Sequence, residues 1–330
     1  MTQLPAAESL AARHRLRGWE ALPWVAGIAV FFLFPSYLAF GTQVLVMVLF
    51  VLSLDLVLGY AGIVTLGHAA FFGTGAYVVG MLAMNWGWNE PLSGLLAAAL
   101  VAGAVGLASG FVLLRTRGLT LLMLTLCTMA LLEEASNMGS AWTGGFDGMP
   151  GLTFKPLLGL FPFEQLSFRP QYLYALAVLF ACFVVVRTLV HSPFGQTLTG
   201  IRENLLRMHA VGAPVHRRLV TAYALSAALA GIAGGLFAQC NAYVNPAVLG
   251  LDRGAGALIM LILGGYGRLY GAFVGSLVYM LLEHTLAKAY PTAWQLGVGL
   301  ILMAAALYAR NGILGLAESL RDRLRGGIGR

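Results

Sequence analysis

The sequence is short of charge and almost without lysine. Only 10% of its 330 residues are Asp, Glu, Lys or Arg, against about 25% in a soluble domain. Two lysines occur, Lys155 and Lys288, preceded by Phe154 and Ala287. A phosphate-binding loop needs Gly-Lys followed by Ser or Thr. No such dipeptide exists, so the chain has no ATPase site of that kind. Cysteine is also scarce. Cys127, Cys182 and Cys240 lie in apolar stretches with no metal or redox spacing, and read as small packing residues. The apolar stretches hold no HExxH, paired carboxylates or nucleophile–base set, which argues against a membrane-embedded enzyme.

What the chain has is apolar sequence. It is 59% hydrophobic, with a mean hydropathy of +0.82. Crossing a hydrocarbon core takes roughly 20 apolar residues in a helix. About ten segments of that order are expected, near 21–40, 43–59, 62–84, 91–114, 118–137, 169–190, 219–243, 254–266, 269–285 and 291–309. Long uniform blocks exclude a barrel, whose strands alternate. The fold class is therefore all-α, a polytopic transmembrane bundle. The segment 254–266 is short and flanked by glycines. A hairpin dipping in from one side over 254–285, giving eight spans, stays open beside ten.

The formal net charge of +7 does not point to nucleic acid, because the arginines cluster between apolar blocks. Arg13, Arg15 and Arg17, then Arg115 and Arg117, then Arg187 to Arg218, then Arg268, then the tail to Arg330 follow the positive-inside rule. Residues 1–20 are expected to form a cytoplasmic N-terminal segment, 21–310 the transmembrane domain and 311–330 a basic cytoplasmic tail. The apolar run after Arg17 has no small-residue cleavage site and reads as a first span, not a signal peptide. The longest outer loop is 138–168, with turn-forming "WTGGFDGMPGL". The pairs Gly106/Gly110, Gly231/Gly235 and Gly271/Gly275 have helix-packing spacing.

One segment is wet. "SPFGQTLTGIRENLLRMHAVGAP", Ser192 to Pro214, has Ser192 as N-cap, Pro193 in the first turn and Gly212 with Pro214 as stop. Leu198, Ile201, Leu205 and Met208 share one face. One amphipathic helix is expected over 193–211 on the cytoplasmic side. It either rests on headgroups or docks in a partner's groove.

Four blocks occur in order: "LGYAGIVTLGHAAFFGTGAY" from Leu58, "TGGFDGMPGL" from Thr143, "SPFGQTLTGIREN" from Ser192 and "LGGYGRLYGAFVGS" from Leu263. The chain resembles the permease subunits of branched-chain amino-acid ABC importers of the LivM type, from about Leu45 to Leu307. The resemblance implies that 193–211 is a coupling helix for an ATPase, with Gly195, Ile201, Arg202, Glu203, Asn204 and Gly212 as the matching positions. The bulky run Leu205 to His209 departs from the family's smaller or acidic residues. The resemblance also implies two ABC ATPase subunits, which bind the ATP and Mg, so that no cofactor is expected on this chain. A homologous second permease and a solute-binding protein outside complete the set. The expected place is the bacterial cytoplasmic (inner) membrane, multi-pass, with both termini cytoplasmic. The solute is a branched-chain or other hydrophobic amino acid, with urea, short amides or aromatic acids as alternatives. A secondary transporter or channel is the rival class.

Ionisable groups inside spans are functional candidates by default. Asp55 and His68 are two, and either lines the path or fixes packing, Asp55 by pairing with His68 or a backbone donor. The resemblance makes Asp55 unusual, since the family more often has Asn there. Glycines interrupt 59–80, and broken helices expose backbone to a cavity. Thr65, Phe71, Phe72 and Tyr77 join the candidate path residues. Glu133 and Glu134, at an outer helix end, either face water or dock the binding protein. Glu283 and His284 carry the same ambiguity.

Overall fold

The computed structural model describes residues 22–156 and 168–291, with 296–297, 299–300, 303 and 312–315 beyond them. The expected N-terminal segment 1–20, most of the span 291–309 and the tail apart from 312–315 lie outside the described residues. So does 157–167 of the outer loop.

The described residues fold into helices α1 (Leu22–Leu33), α2 (Leu38–Asp55), α3 (Ala69–Asn85), α4 (Pro91–Leu113), α5 (Leu119–Met138), α6 (Phe168–His191), α7 (Pro193–Glu203), α8 (Leu205–Ala210), α9 (Val215–Asn241), α10 (Leu251–Gly264) and α11 (Gly271–Ala289), with short helical turns between some of them. Among them, six stretches are long and apolar enough to cross a membrane: Pro35–Tyr60, Pro91–Leu113, Leu119–Met138, Phe168–His191, Val215–Asn241 and Pro246–Gly264. The expected polytopic helical bundle is what forms. Of the ten expected segments, 21–40 and 62–84 yield helices of only 12 and 17 residues. The ninth, α11, is one continuous helix of 19 residues that carries Glu283, His284 and Lys288 toward its end.

Two boundaries differ from expectation. The first break falls at Phe34–Tyr37, not near residue 42, because Pro35 begins a tight turn there. Gly41 stays helical, and its missing side chain makes room for the Tyr172 ring. The second apolar segment ends at Tyr60, close to the expected 59, where the helix widens into a π turn, Leu56–Tyr60. The chain then runs without regular structure, and α3 begins at Ala69, not at 62. The interruption expected in 59–80 is thus confined to its first part. Gly73, Gly75 and Gly80 belong to a regular helix.

Packing explains the arrangement. α2 is buried without interruption from Val44 to Asp55, with α6, α9, α10 and α11 around it. Against α4 and α3 lies α9, whose 27 residues span about 40 Å. Its small residues permit the contact: a Cβ at Gly231 would lie 2.5 Å from the Ala102 Cβ and 2.7 Å from the Ala98 carbonyl. In lipid such close backbone approach supplies the attraction between helices. α10 and α11 pair in the same manner, with Gly275 against the backbone of Met260.

The two ends of α9 define the two ends of the bundle. Before it comes the wet segment, α7 and α8. After it, strand β2 (Tyr243–Val244) pairs antiparallel with β1 (Met149–Pro150), Met149 opposite Val244. That ladder ties the described part of the outer loop to the bundle end opposite α7.

Candidate functional site

The wet segment is two helices, not one. α7 ends at Glu203, and Asn204 is extended (φ −153°, ψ 98°) before α8 begins. The Asn204 side chain accepts a hydrogen bond from the Arg207 backbone N–H at 2.9 Å, so it caps the second helix. Met208 folds back over Gly200. The apolar spacing continues in phase through 204, which is why periodicity alone shows one helix. Ser192 occupies the expected N-cap position of α7, but its hydroxyl makes no capping bond and donates to the Leu189 carbonyl at 2.6 Å.

The six expected coupling positions divide by direction. Ile201 is buried. Gly195 sits against the Val190 backbone, where a side chain has no room. These two fasten α7 to the bundle. Glu203, Asn204 and Gly212 are exposed. Beside them stand Leu206 and Val211, 80% and 76% exposed. Large apolar side chains displayed on a polar surface element mark a contact surface. Neither was among the expected site residues.

Arg202 does something else. Its guanidinium donates to the Gly59 carbonyl in the π turn that ends α2. It also lies close to Gly267, in the turn between α10 and α11. Gly267 in turn donates its backbone N–H to Asp55 Oδ1 at 2.7 Å. The charge of Arg202 acts on Asp55. Four residues from three distant chain regions thus form one joint between α7, α2 and the α10–α11 turn. Of the two pairings open to Asp55 in the sequence, the backbone donor is the one found.

His68 belongs to a separate polar cluster. Its Nε2 lies 2.9 Å from Ser53 Oγ and 3.4 Å from Ser226 Oγ. Ser53 Oγ donates to the Phe50 carbonyl and Ser226 Oγ to the Ser53 carbonyl. Each hydroxyl has a single proton, already used, so both accept from Nε2–H. That fixes the tautomer. The ring stacks on Phe50 at 5.6 Å. His68 therefore clasps the start of α3 to α2 and α9.

The remaining expected path residues are packed. Asp55, Thr65, His68, Phe71, Phe72 and Tyr77 are at most 4% exposed. Thr65 lies by the Tyr223 hydroxyl, Phe71 is edge-on to Tyr223, and Phe72 packs between Phe50 and Phe237. None lines the open cleft of about 890 Å³ that α2, α10 and α11 enclose in the half of the bundle away from α7. That cleft includes Gln43, Asp252, Arg253, Tyr279 and Glu283. Glu133 and Glu134 stand apart from it, near the end of α5, with Glu133 half-buried beside Tyr77 and Glu134 exposed.

Comparison with known proteins agrees with this architecture. Residues 36–307 match the family model described as branched-chain amino acid transport system / permease component. The chain is 26% identical to the high-affinity branched-chain amino acid transport system permease protein LivM of Escherichia coli K12, over 83% of this chain and 69% of that protein. It is 28% identical to the autoinducer 2 import system permease protein LsrC of Enterobacter sp. 638, over 96% and 90%. With LivH of E. coli K12 it shares 24%, over 82% and 91%. No solved structure gives a significant match. The family covers every helix from α2 to α11, and with it the joint and the cleft, so this chain belongs to the branched-chain amino acid transport permease family and is a multi-pass membrane transport component.

Proposed function

We propose that the chain is one permease subunit of an ATP-binding cassette importer, which moves a small hydrophobic amino acid into the cytoplasm by alternating access. The observation that carries this reading is the joint. The hydrogen bond from Arg202 to Gly59, and the one from Gly267 to Asp55, tie α7 to the same three helices that enclose the cleft. A push on α7 and α8 reaches α2, α10 and α11 through direct hydrogen-bonded contacts, although the Arg202 side chain that begins the chain of contacts is itself partly exposed. Coupling of this sort needs a packed element shared by both sites.

The partners follow from the two ends. At the α7–α8 end, Leu206, Val211 and Glu203 are displayed for a groove on each of two ATPase subunits, which hold the ATP and Mg. At the β-ladder end a solute-binding protein delivers its cargo, with Glu133 and Glu134 available to meet its basic groups. Similarity to both LivM and LivH supports a homologous second permease beside this one. Of the expected path residues, Asp55 acts through the joint and Phe72 through its contact with Arg253. The similarity to a permease named for autoinducer 2 import makes a small solute other than an amino acid the second reading.

Glu203→Lys tests the docking. An exposed carboxylate in a protein groove has partners that a lysine repels, so ATPase chains stop co-purifying and uptake stops, while membrane insertion persists. A helix that merely rests on anionic lipid gains affinity from the same change. Unchanged co-purification and unchanged solute-stimulated hydrolysis would remove the coupling role.

A further inference from the structure

The cleft holds charges that the joint does not use. Arg253 stands in the first turn of α10. Its guanidinium carbon lies 4.9 Å from the Phe237 ring centre and 5.8 Å from that of Phe72. Ring faces attract a cation and fix its position. They leave the planar fork of N–H donors unspent. Among the described residues, no acceptor takes those donors.

Glu283, four residues after Tyr279 on α11, lines the same cleft. Its charge and that of Arg253 act on each other, yet among the described residues they form no direct ion pair. Asp252 adds a second carboxylate, at the exposed rim. A half-buried cation and a half-buried carboxylate that stand apart both pay for lost hydration. The ring contacts of Arg253 offset only part of that cost. A ligand with two opposite charges offsets the rest, since it pairs with both at once. The same cleft has apolar lining from Phe40, Met47, Ile259 and Met260, beside polar Gln43 and His284. The volume of about 890 Å³ lies in the ordinary range for small-molecule sites, about 300–1,000 Å³.

We infer that this cleft is a solute-binding station on the transport path, where Arg253 holds the carboxylate and Glu283 the ammonium group of a small zwitterion. The apolar wall receives the solute's side chain. Bidentate hydrogen bonding from a guanidinium fixes a carboxylate's orientation as well as its position. Phe72 and Phe237 are positioning residues, since they aim Arg253. The assignment rests on the transport reading above and adds to it a site and an orientation.

The test uses the complex as it co-purifies, reconstituted in proteoliposomes with its binding protein, and radiolabelled L-leucine as probe. Arg253→Gln and Glu283→Gln each lower uptake at sub-saturating leucine by about tenfold or more, the worth of one hydrogen-bonded charge. Both variants keep their ATPase chains, which shows that the fold and the coupling surface survive. The double variant Arg253→Gln/Glu283→Gln is at least as impaired as the worse single. If the two charges merely neutralise each other, the double variant recovers toward the unmodified rate, because each single change leaves a lone charge that the second removes. Recovery, or normal uptake in either single variant, overturns the proposal. Absence of leucine uptake by the unmodified complex overturns the solute class assigned here. Absence of ATPase chains from that complex is a different failure, and sinks the transport reading itself.

Discussion

Asp55 and Glu283 are both carboxylates on helices that enclose the cleft, yet their surroundings are opposite. Asp55 is fully enclosed, with Gly267 N–H on one oxygen and the charge of Arg202 close by. The carboxylate itself is wholly buried, and its hydrogen-bond partner is a backbone group. Glu283 faces open volume, with Arg253 near but unpaired. A closed charge transmits displacement, because nothing around it yields. An open charge is available to a ligand. The same helices thus carry a rigid end and a receptive end, which is what transmission of a push to a binding site requires.

The largest expected effect comes from filling the rigid end. A Cβ at Gly59 would lie 2.5 Å from Gly267 N and 2.8 Å from Gly267 Cα, besides overlapping Asp55 Oδ1. Backbone cannot move aside as a flexible side chain can. Gly59→Val therefore costs roughly 3 kcal/mol or more and lowers the thermal unfolding midpoint of the detergent-solubilised protein. An unchanged midpoint would show that the joint is loose. A glycine-to-valine change at exposed Gly212, where no atom lies within 4 Å of a Cβ, leaves the core alone and meets only the strain of its positive φ.

A smaller effect is expected at Asp55 itself. Asp55→Asn keeps an acceptor for Gly267 N–H, whereas Asp55→Leu leaves that donor buried and unsatisfied, at about 2 kcal/mol. Uptake at equal membrane expression should survive the first change and fall with the second. If the leucine variant transports normally, the joint does not depend on this bond, and the contrast with Glu283 loses its basis.

These contacts show where sequence reading reaches and where it stops. The helical bundle was legible because span length and apolar runs are local properties. The wet segment was legible for the same reason, as was the glycine spacing along α9. The break at Asn204 was not, because the apolar period continues through it and only the backbone reveals the kink. The joint was not legible either. Gly59, Arg202 and Gly267 lie far apart in the chain, and nothing local marks two glycines as each other's neighbours. Asp55 is marked in the sequence by its charge alone, which is compatible with His68 or a backbone donor as partner. Glu283 reads locally only as a helix-end carboxylate. Arg253 carries no local signal, since one arginine in a helix's first turn means nothing without Phe72 and Phe237 beneath it.

The smallest expected effect separates the docking elbow from the joint next to it. Asn204 caps α8 through Arg207 N–H, and replacing an N-cap residue with alanine costs about 1 kcal/mol. The loss falls on α8 alone, a helix of six residues with none fully buried. α7 stays fixed by Gly195, Ile201 and the Arg202 bond, so the bundle's unfolding midpoint does not change in Asn204→Ala. What changes is the order of the surface that carries Leu206 and Val211, because a six-residue helix has little besides its cap to hold it. The expected result is a fewfold weaker ATPase association with normal membrane insertion. Hydrogen exchange should rise at Leu206 to Ala210 and stay unchanged in α7. Equal acceleration in both helices would mean that α7 and α8 form a single unit, and that the elbow at Asn204 does not divide docking from transmission.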